Sequence, residues 1–154
     1  MAQEIEYKFL VRGDDYKHLS SPIFYRQGYL SSAPGRVVRV REANGKGYLT
    51  IKGKNEGAVR SEFEFEIPLT DAQELLTICE KPLIEKYRYR VEFKGFVWEV
   101  DEFLCENEGL VIAEIELPTP DTHFEKPDWI GANVTHDVRY YNSNLIANPY
   151  KSWD

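Results

Sequence analysis

Cysteine, histidine and methionine are scarce in this chain of 154 residues, at two, three and one. Cys79 and Cys105 stand far apart and form no CxxC pair, so they read as buried or free thiols in a reducing cytoplasm. His18, His123 and His136 show no metal-ligand spacing with cysteine, which argues against a histidine-based metal site. Positive charge is also short: 19 Lys and Arg against 26 Asp and Glu leave a formal net charge of −7. A protein without a positive field does not attract nucleic acid or an anionic membrane non-specifically, although a local basic pocket is still allowed. No apolar run approaches the length of a membrane span. The opening Met-Ala-Gln-Glu has neither a basic n-region nor an apolar h-region, so no secretory signal is expected. Low-complexity segments, linkers and solenoid-period repeats are missing too.

What is there is alternation. Hydrophobic residues make up 42% of the chain and charged residues 29%, and the length suits one domain, residues 1–154, with a sizeable core. Period-2 patterning predicts many strands and few helices. Strands are expected over Ile5 to Val11, Ile23 to Leu30, Arg36 to Glu42, Tyr48 to Lys52, Arg60 to Pro68, Glu85 to Lys94, Phe96 to Phe103 and Leu110 to Pro118. Asn44-Gly45 is a hairpin turn signal, because both residues accept positive φ. Asp14 to Ser20 reads as a short helix or turn. Thr70 begins a helix, with Gln73 completing a capping-box pattern, and Tyr140 to Ala147 reads as a short final helix.

Sorting each strand by face separates two kinds of residue. Glu4, Glu6 and Lys8 share one face of the first strand, against Ile5, Tyr7 and Phe9. Arg39 and Arg41 oppose Val38 and Val40, and Lys52 opposes Leu49 and Ile51. Arg60, Glu62, Glu64 and Glu66 oppose Phe63, Phe65 and Ile67. Lys86, Arg88 and Arg90 oppose Tyr87, Tyr89 and Val91; Glu99 and Asp101 oppose Trp98 and Val100; Glu114 and Glu116 oppose Ala113, Ile115 and Leu117. The polar face is almost entirely Lys, Arg, Glu and Asp, and the two signs are sorted by strand.

Two architectures accommodate this pattern. One is a sandwich whose wet face carries cross-strand salt bridges. The other is a sheet closed into a barrel, with cationic walls beside a carboxylate cluster in its interior. Converging arginines and lysines suit a polyanion. Carboxylates suit a hard divalent cation such as Mg²⁺ or Mn²⁺, which in turn bridges phosphate oxygens. A metal–polyphosphate complex is a ligand that needs both charge types.

The ordered series of motifs resembles the triphosphate tunnel metalloenzymes, also called the CYTH domain family. Glu4-x-Glu6-x-Lys8 is followed by Arg39-x-Arg41, Thr50-Ile51-Lys52-Gly53, Glu62-x-Glu64-x-Glu66, Lys86-x-Arg88, Trp98-Glu99-Val100-Asp101 and Ala113-Glu114-Ile115-Glu116-Leu117. Trp129-Ile130-Gly131, Val134-Thr135 and Asp137-x-Arg139-Tyr140 complete it, so the resemblance spans essentially the whole chain. It implies a mainly β fold: a closed eight-stranded antiparallel barrel around a tunnel, with a few peripheral helices. The implied activity is that of the short bacterial inorganic triphosphatases, which split tripolyphosphate into pyrophosphate and phosphate with Mg²⁺ or Mn²⁺. Adenylate cyclases of one class, thiamine- and nucleoside triphosphatases and a non-catalytic polyphosphate binder are the alternatives.

Carried over by residue, the resemblance implies that Glu4 and Glu6 ligate metal with Glu116 opposite them. Glu62, Glu64 and Glu114 are candidate supports or second-metal ligands, and Asp101 is a metal-side or structural carboxylate. Arg39, Arg41, Lys52, Lys86 and Arg88 would hold phosphates, and Lys8 would position or activate the attacking water. Tyr29 is a candidate contact of Lys8 or a packed tyrosine. Arg60, Arg90, Lys54 and Lys94 read as rim charges, Glu66 and Glu99 as internal salt-bridge partners, and Asp137–Arg139 as a structural pair. Trp129, Tyr140 and Trp153 read as packing. Gly45-Lys46-Gly47 lacks the frame of a phosphate loop. The expected partner is a small anionic triphosphate, with no nucleic acid or membrane, on a cytoplasmic monomer or homodimer.

Overall fold

The computed structural model describes residues 3–153. Nine strands form one antiparallel sheet: β1 (Gln3–Val11), β2 (Ile23–Ser31), β3 (Val37–Ala43), β4 (Lys46–Glu56), β5 (Val59–Ile67), β6 (Ile84–Phe93), β7 (Phe96–Phe103), β8 (Val111–Glu116) and β9 (Ile130–Asn133). Their order is β5-β4-β3-β2-β6-β7-β8-β1-β9, and β1 also pairs with β5. That extra pairing closes eight strands into a barrel. One edge of β1 is shared to do it. Its first residues, Gln3 to Ile5, pair with Ser61 to Val59 on β5, while Phe9 and Val11 pair with β9.

The turns follow the sequence signals. Ala43 pairs with Lys46 across Asn44-Gly45, and these two residues take φ values of 52° and 76°. Such a two-residue connection matches the right-handed twist of the strands it joins. Phe93 and Phe96 pair across a second two-residue connection, Lys94-Gly95.

The apolar faces point outward but are covered. Phe9, Val91, Trp98, Val100, Ala113 and Ile115 form the outer face of the β1–β6–β7–β8 side, and Tyr16, Phe124 and Trp129 pack over them. Trp98 is fully buried, with ring centroids 5.6 Å from Phe9 and 5.9 Å from Phe124. Helix α1 (Leu69–Thr77) lays Ala72 and Leu76 over Val40 on β3. The covering stops at β4–β5, where Ile51, Phe63 and Phe65 are exposed.

Three local expectations differ from the structure. Helix α1 begins one residue before Thr70, after Pro68, and no side chain caps it. Gln73 instead donates to Glu42 Oε2 at 2.9 Å, an acceptor that carries charge and outcompetes a reciprocal cap. The final helix is a series of 3₁₀ turns, Val138–Tyr140, Asn142–Leu145 and Tyr150–Ser152. Asn144 Nδ2 donates to the Val138 carbonyl at 2.7 Å, the kind of side-chain bond that competes with helix continuation. Strand β9 lies in a stretch that the alternation left as loop; four residues are too few to display a period.

No helix among the described residues is long and apolar enough to cross a membrane.

Candidate active site

Closing the sheet turns the charged face inward. One cavity of about 440 Å³ results, and every candidate site residue but Asp101 lines it. Its walls also include Ile23, Tyr25, Val37, Ala43 and Tyr48 from β2 to β4, and Tyr141, Asn142 and Ser143 from the C-terminal turns. Tyr29, Val37, Ile84, Phe103 and Ile112 cluster with Tyr140, Leu145 and Ile146. The C-terminal turns therefore pack onto the apolar part of the barrel wall, and Asn142 enters the charged part.

Strand register gathers the carboxylates. Glu6 lies opposite Glu116 and Lys8 opposite Glu114 on the β1–β8 ladder, and Glu4 lies opposite Arg60 on β5. Lys52 Nζ donates to Glu4 Oε1 at 3.0 Å and faces Glu62 Oε2 at 3.3 Å. Lys8 Nζ donates to Glu6 Oε1 at 3.2 Å and to Glu114 Oε2. Crowding is visible in the acidities. Burial, then the adjacent Glu114 carboxylate, pushes Glu6 up to about 8 against the pull of Lys8. Burial and the hydrogen bond to Glu4 push Glu62 up to about 7. Burial also raises Glu116, with Glu4 and Glu99 adding to it. Glu4 goes the other way: burial would raise it, but Lys52 and the Glu62 hydrogen bond carry it down to about 2.

The donor set is all oxygen, partly protonated and mutually repelling, which suits a hard divalent cation. Among the described residues, however, no three acidic, histidine or cysteine side chains enclose a ready-made metal site. Glu6 and Glu114 are turned onto Lys8, and Glu4 and Glu62 onto Lys52, instead.

The opposite wall is cationic. Arg39 Nη2 donates to Thr50 Oγ1 at 3.2 Å and lies 3.7 Å from Glu64 Oε1, while its buried Nε has no partner. Arg41 Nε donates to Gln27 Oε1 at 3.0 Å. Burial, then the charges of Arg39 and Arg88, lowers the Arg41 guanidinium to about 10. A buried guanidinium among other cations calls for an anion, and among the described residues no carboxylate pairs with this one.

Asp101 is spent differently. Its Oδ1 accepts from Arg88 Nε at 2.7 Å, and its Oδ2 accepts from Arg88 Nη2 at 2.9 Å and Lys86 Nζ at 2.7 Å. The residue is 1% exposed. Both oxygens are thus occupied by cations, the arrangement expected under the structural reading of this residue. Arg88 reaches further to Glu114 and Glu99, at 3.3 and 3.4 Å. Tyr29 makes no hydrogen bond to Lys8. Its hydroxyl accepts from Gln27 Nε2 at 3.2 Å, and the Lys8 ammonium goes to carboxylates, which are stronger acceptors than a phenol.

At the margins, Arg90 is exposed and meets Glu99 Oε2 at 2.8 Å. Glu66 is exposed opposite Tyr48, not paired inside the barrel, because it sits at the end of its strand. Four residues that contact the charged side chains of the site carry no assigned role in the sequence reading. Tyr25 and Gln27 share the inward parity of Tyr29, so alternation on β2 could have found them. Thr50 shares the parity of Lys52. Asn142, which accepts from Lys86 Nζ at 3.0 Å, lies in an aperiodic segment and gave no signal.

A family model described as the CYTH domain matches residues 2–150. The chain belongs to the CYTH domain family. It is similar to an inorganic triphosphatase of Acetivibrio thermocellus, with 59% identity over 154 residues and 99% of each chain covered. An inorganic triphosphatase of Nitrosomonas europaea is 33% identical over 149 residues, covering 94% of this chain and 97% of the relative. The crystal structure of an inorganic triphosphatase superposes with a TM-score of 0.68 at 31% identity, over 95% of both chains. A CYTH domain implies a divalent metal; which one is a separate question.

Asp101→Asn removes the negative charge between Lys86 and Arg88 while keeping its shape. Unfolding by urea is expected to show a loss of about 3–5 kcal/mol, the cost of breaking a buried pair. The stabilisation conferred by added Mn²⁺ should persist in this variant. Its disappearance would make Asp101 a metal ligand.

Proposed function

We propose that this CYTH domain hydrolyses inorganic triphosphate to pyrophosphate and phosphate, with Mg²⁺ or Mn²⁺, as a cytoplasmic enzyme. The observation that carries the reading is a single cavity with two poles, a cationic wall containing an unneutralised guanidinium and a carboxylate wall that is partly protonated. The two relatives named inorganic triphosphatase support it.

Arg39, Arg41, Lys86 and Arg88 hold the phosphate chain, and Arg41 is the one of them that no described carboxylate pairs. Glu4, Glu6, Glu62 and Glu116 would hold the cation, the first three in place of their present contacts with Lys52 and Lys8. A divalent cation there would supply charge neutralisation on the phosphate oxygens and a polarised water. Lys8 carries donors only, two of them already committed to Glu6 and Glu114, so it orients water and steadies the carboxylates; it takes no proton. Positioning and electrostatics then perform most of the in-line phosphoryl transfer. Hydrolysis is favoured over cyclisation because both of those relatives are named as triphosphatases.

The test is product-resolved phosphate release from tripolyphosphate, pyrophosphate, ATP and thiamine triphosphate, with Mg²⁺, Mn²⁺ or chelator. Metal-dependent cleavage of tripolyphosphate well above ATP is expected, and Glu6→Gln should abolish it while melting cooperatively. Cyclic AMP formed from ATP would overturn the reading, as would normal turnover by Glu6→Gln.

A pH dependence follows from the raised carboxyls. Glu6, at about 8, and Glu62, at about 7, still carry protons near pH 7. A cation takes only the ionised form, so its binding expels protons and tightens as pH rises through this window. Calorimetric titration with Mn²⁺ at pH 7 should give enthalpies that depend on the buffer's ionisation heat. Buffer-independent enthalpies would contradict the ligand assignment.

A further inference from the structure

Tyr25 sits on the inward face of β2, between the two strands that carry the cationic wall. Arg41 reaches its ring from β3 and Arg88 from β6, and each guanidinium carbon is 4.8 Å from the ring centroid. These are distances at which the negative face of an aromatic quadrupole attracts a cation. Arg88 has a second anchor in Asp101. Arg41 has none of that kind. Its Nε rests on the neutral Gln27 amide, and among the described residues no carboxylate pairs with it, unlike Lys8, Arg39, Lys52, Lys86 and Arg88.

The difference has chemical content. A carboxylate beside Arg41 would fix the side chain, but it would compete with any incoming phosphate for the same fork. A ring fixes it and leaves the charge whole. It also fills the space between two like charges that would otherwise drift apart or draw in water. Neither contact uses the Tyr25 hydroxyl, so the ring is the working part.

We propose that Tyr25 is a positioning residue for the triphosphatase reaction: its ring, with the Gln27 amide as second support, holds the Arg41 and Arg88 guanidiniums at fixed aim for substrate phosphate without neutralising either. The inference rests on the reading of Arg41 as a phosphate-binding group. It extends that reading to an uncharged residue whose ring meets both guanidiniums.

The experiment replaces Tyr25 with phenylalanine and then with increasingly fluorinated phenylalanines, ending at the pentafluoro ring. This series keeps the ring's outline and drains its quadrupole. Steady-state kinetics on tripolyphosphate are recorded with saturating metal, beside Arg41→Ala and the combination of Arg41→Ala with the pentafluoro ring. Tyr25→Phe should keep the wild-type KM. KM should climb with each fluorine, by roughly 5- to 30-fold at the pentafluoro ring, while kcat stays nearly constant. Arg41→Ala should raise KM and reduce the further effect of fluorination to the part that Arg88 carries. A KM that is flat across the series beside an impaired Arg41→Ala overturns the role of Tyr25 alone. A Phe variant as impaired as the pentafluoro one does the same, by making the hydroxyl the working part. An Arg41→Ala variant with unchanged KM overturns the phosphate-binding reading of Arg41, and the inference with it. Thermal melting across the series separates loss of fold from loss of aim, because the isosteric rings should melt together.

Discussion

A charge enclosed by a closed sheet has lost bulk water and must find a partner nearby. Much of this molecule follows from that constraint. Alternation places the charged residues of the barrel strands on one face, and closure through β1 and β5 turns that face into the wall of a cavity. Inside, desolvation is costly enough that every ionised group has to be paired, protonated or left waiting for a ligand. All three outcomes occur. Asp101 is paired on both oxygens, Glu6 and Glu62 are pushed toward holding protons, and Arg41 is left without a counter-charge.

These outcomes are not scattered. Carboxylates under strain collect where β1, β5 and β8 meet; the cations collect on β3 and β6, where Arg41 alone has no carboxylate partner among the described residues. The protein stores complementary deficits at two poles of one space. A cation relieves the first and a polyanion the second, and a metal–triphosphate complex relieves both at once. The same arrangement that costs the fold stability thus favours such a ligand. Asp101 marks the boundary: by binding Lys86 and Arg88 it steadies the cationic wall while remaining outside the cavity lining.

The barrel and the two-signed wall were legible because both rest on period 2. Glu4, Glu6 and Lys8, or Arg39 and Arg41, declare a shared face by spacing alone. The function of each charge was less legible. Asp101 has the same parity as Glu99, yet one faces two cations in the wall and the other the rim, since register and shear decide what stands opposite. Tyr25 and Gln27 were overlooked because neutral residues on a charged face look like interruptions, although they hold Arg41. Asn142 was beyond reach, because a 3₁₀ segment carries no periodicity to announce where it enters the barrel. Strand β9 and the C-terminal turns were misread for a related reason: their form is set by packing on the barrel, not by local propensity.

The central claim is that the two poles are coupled through a ligand that bridges them. Calorimetric titration with a non-hydrolysable imido analogue of triphosphate, in metal-free and Mn²⁺-loaded protein, tests it most directly. The account predicts that each ligand tightens the other, by the same factor whichever is added first. Equal analogue affinity with and without metal would contradict it, since the carboxylates and the arginines would then be serving separate sites.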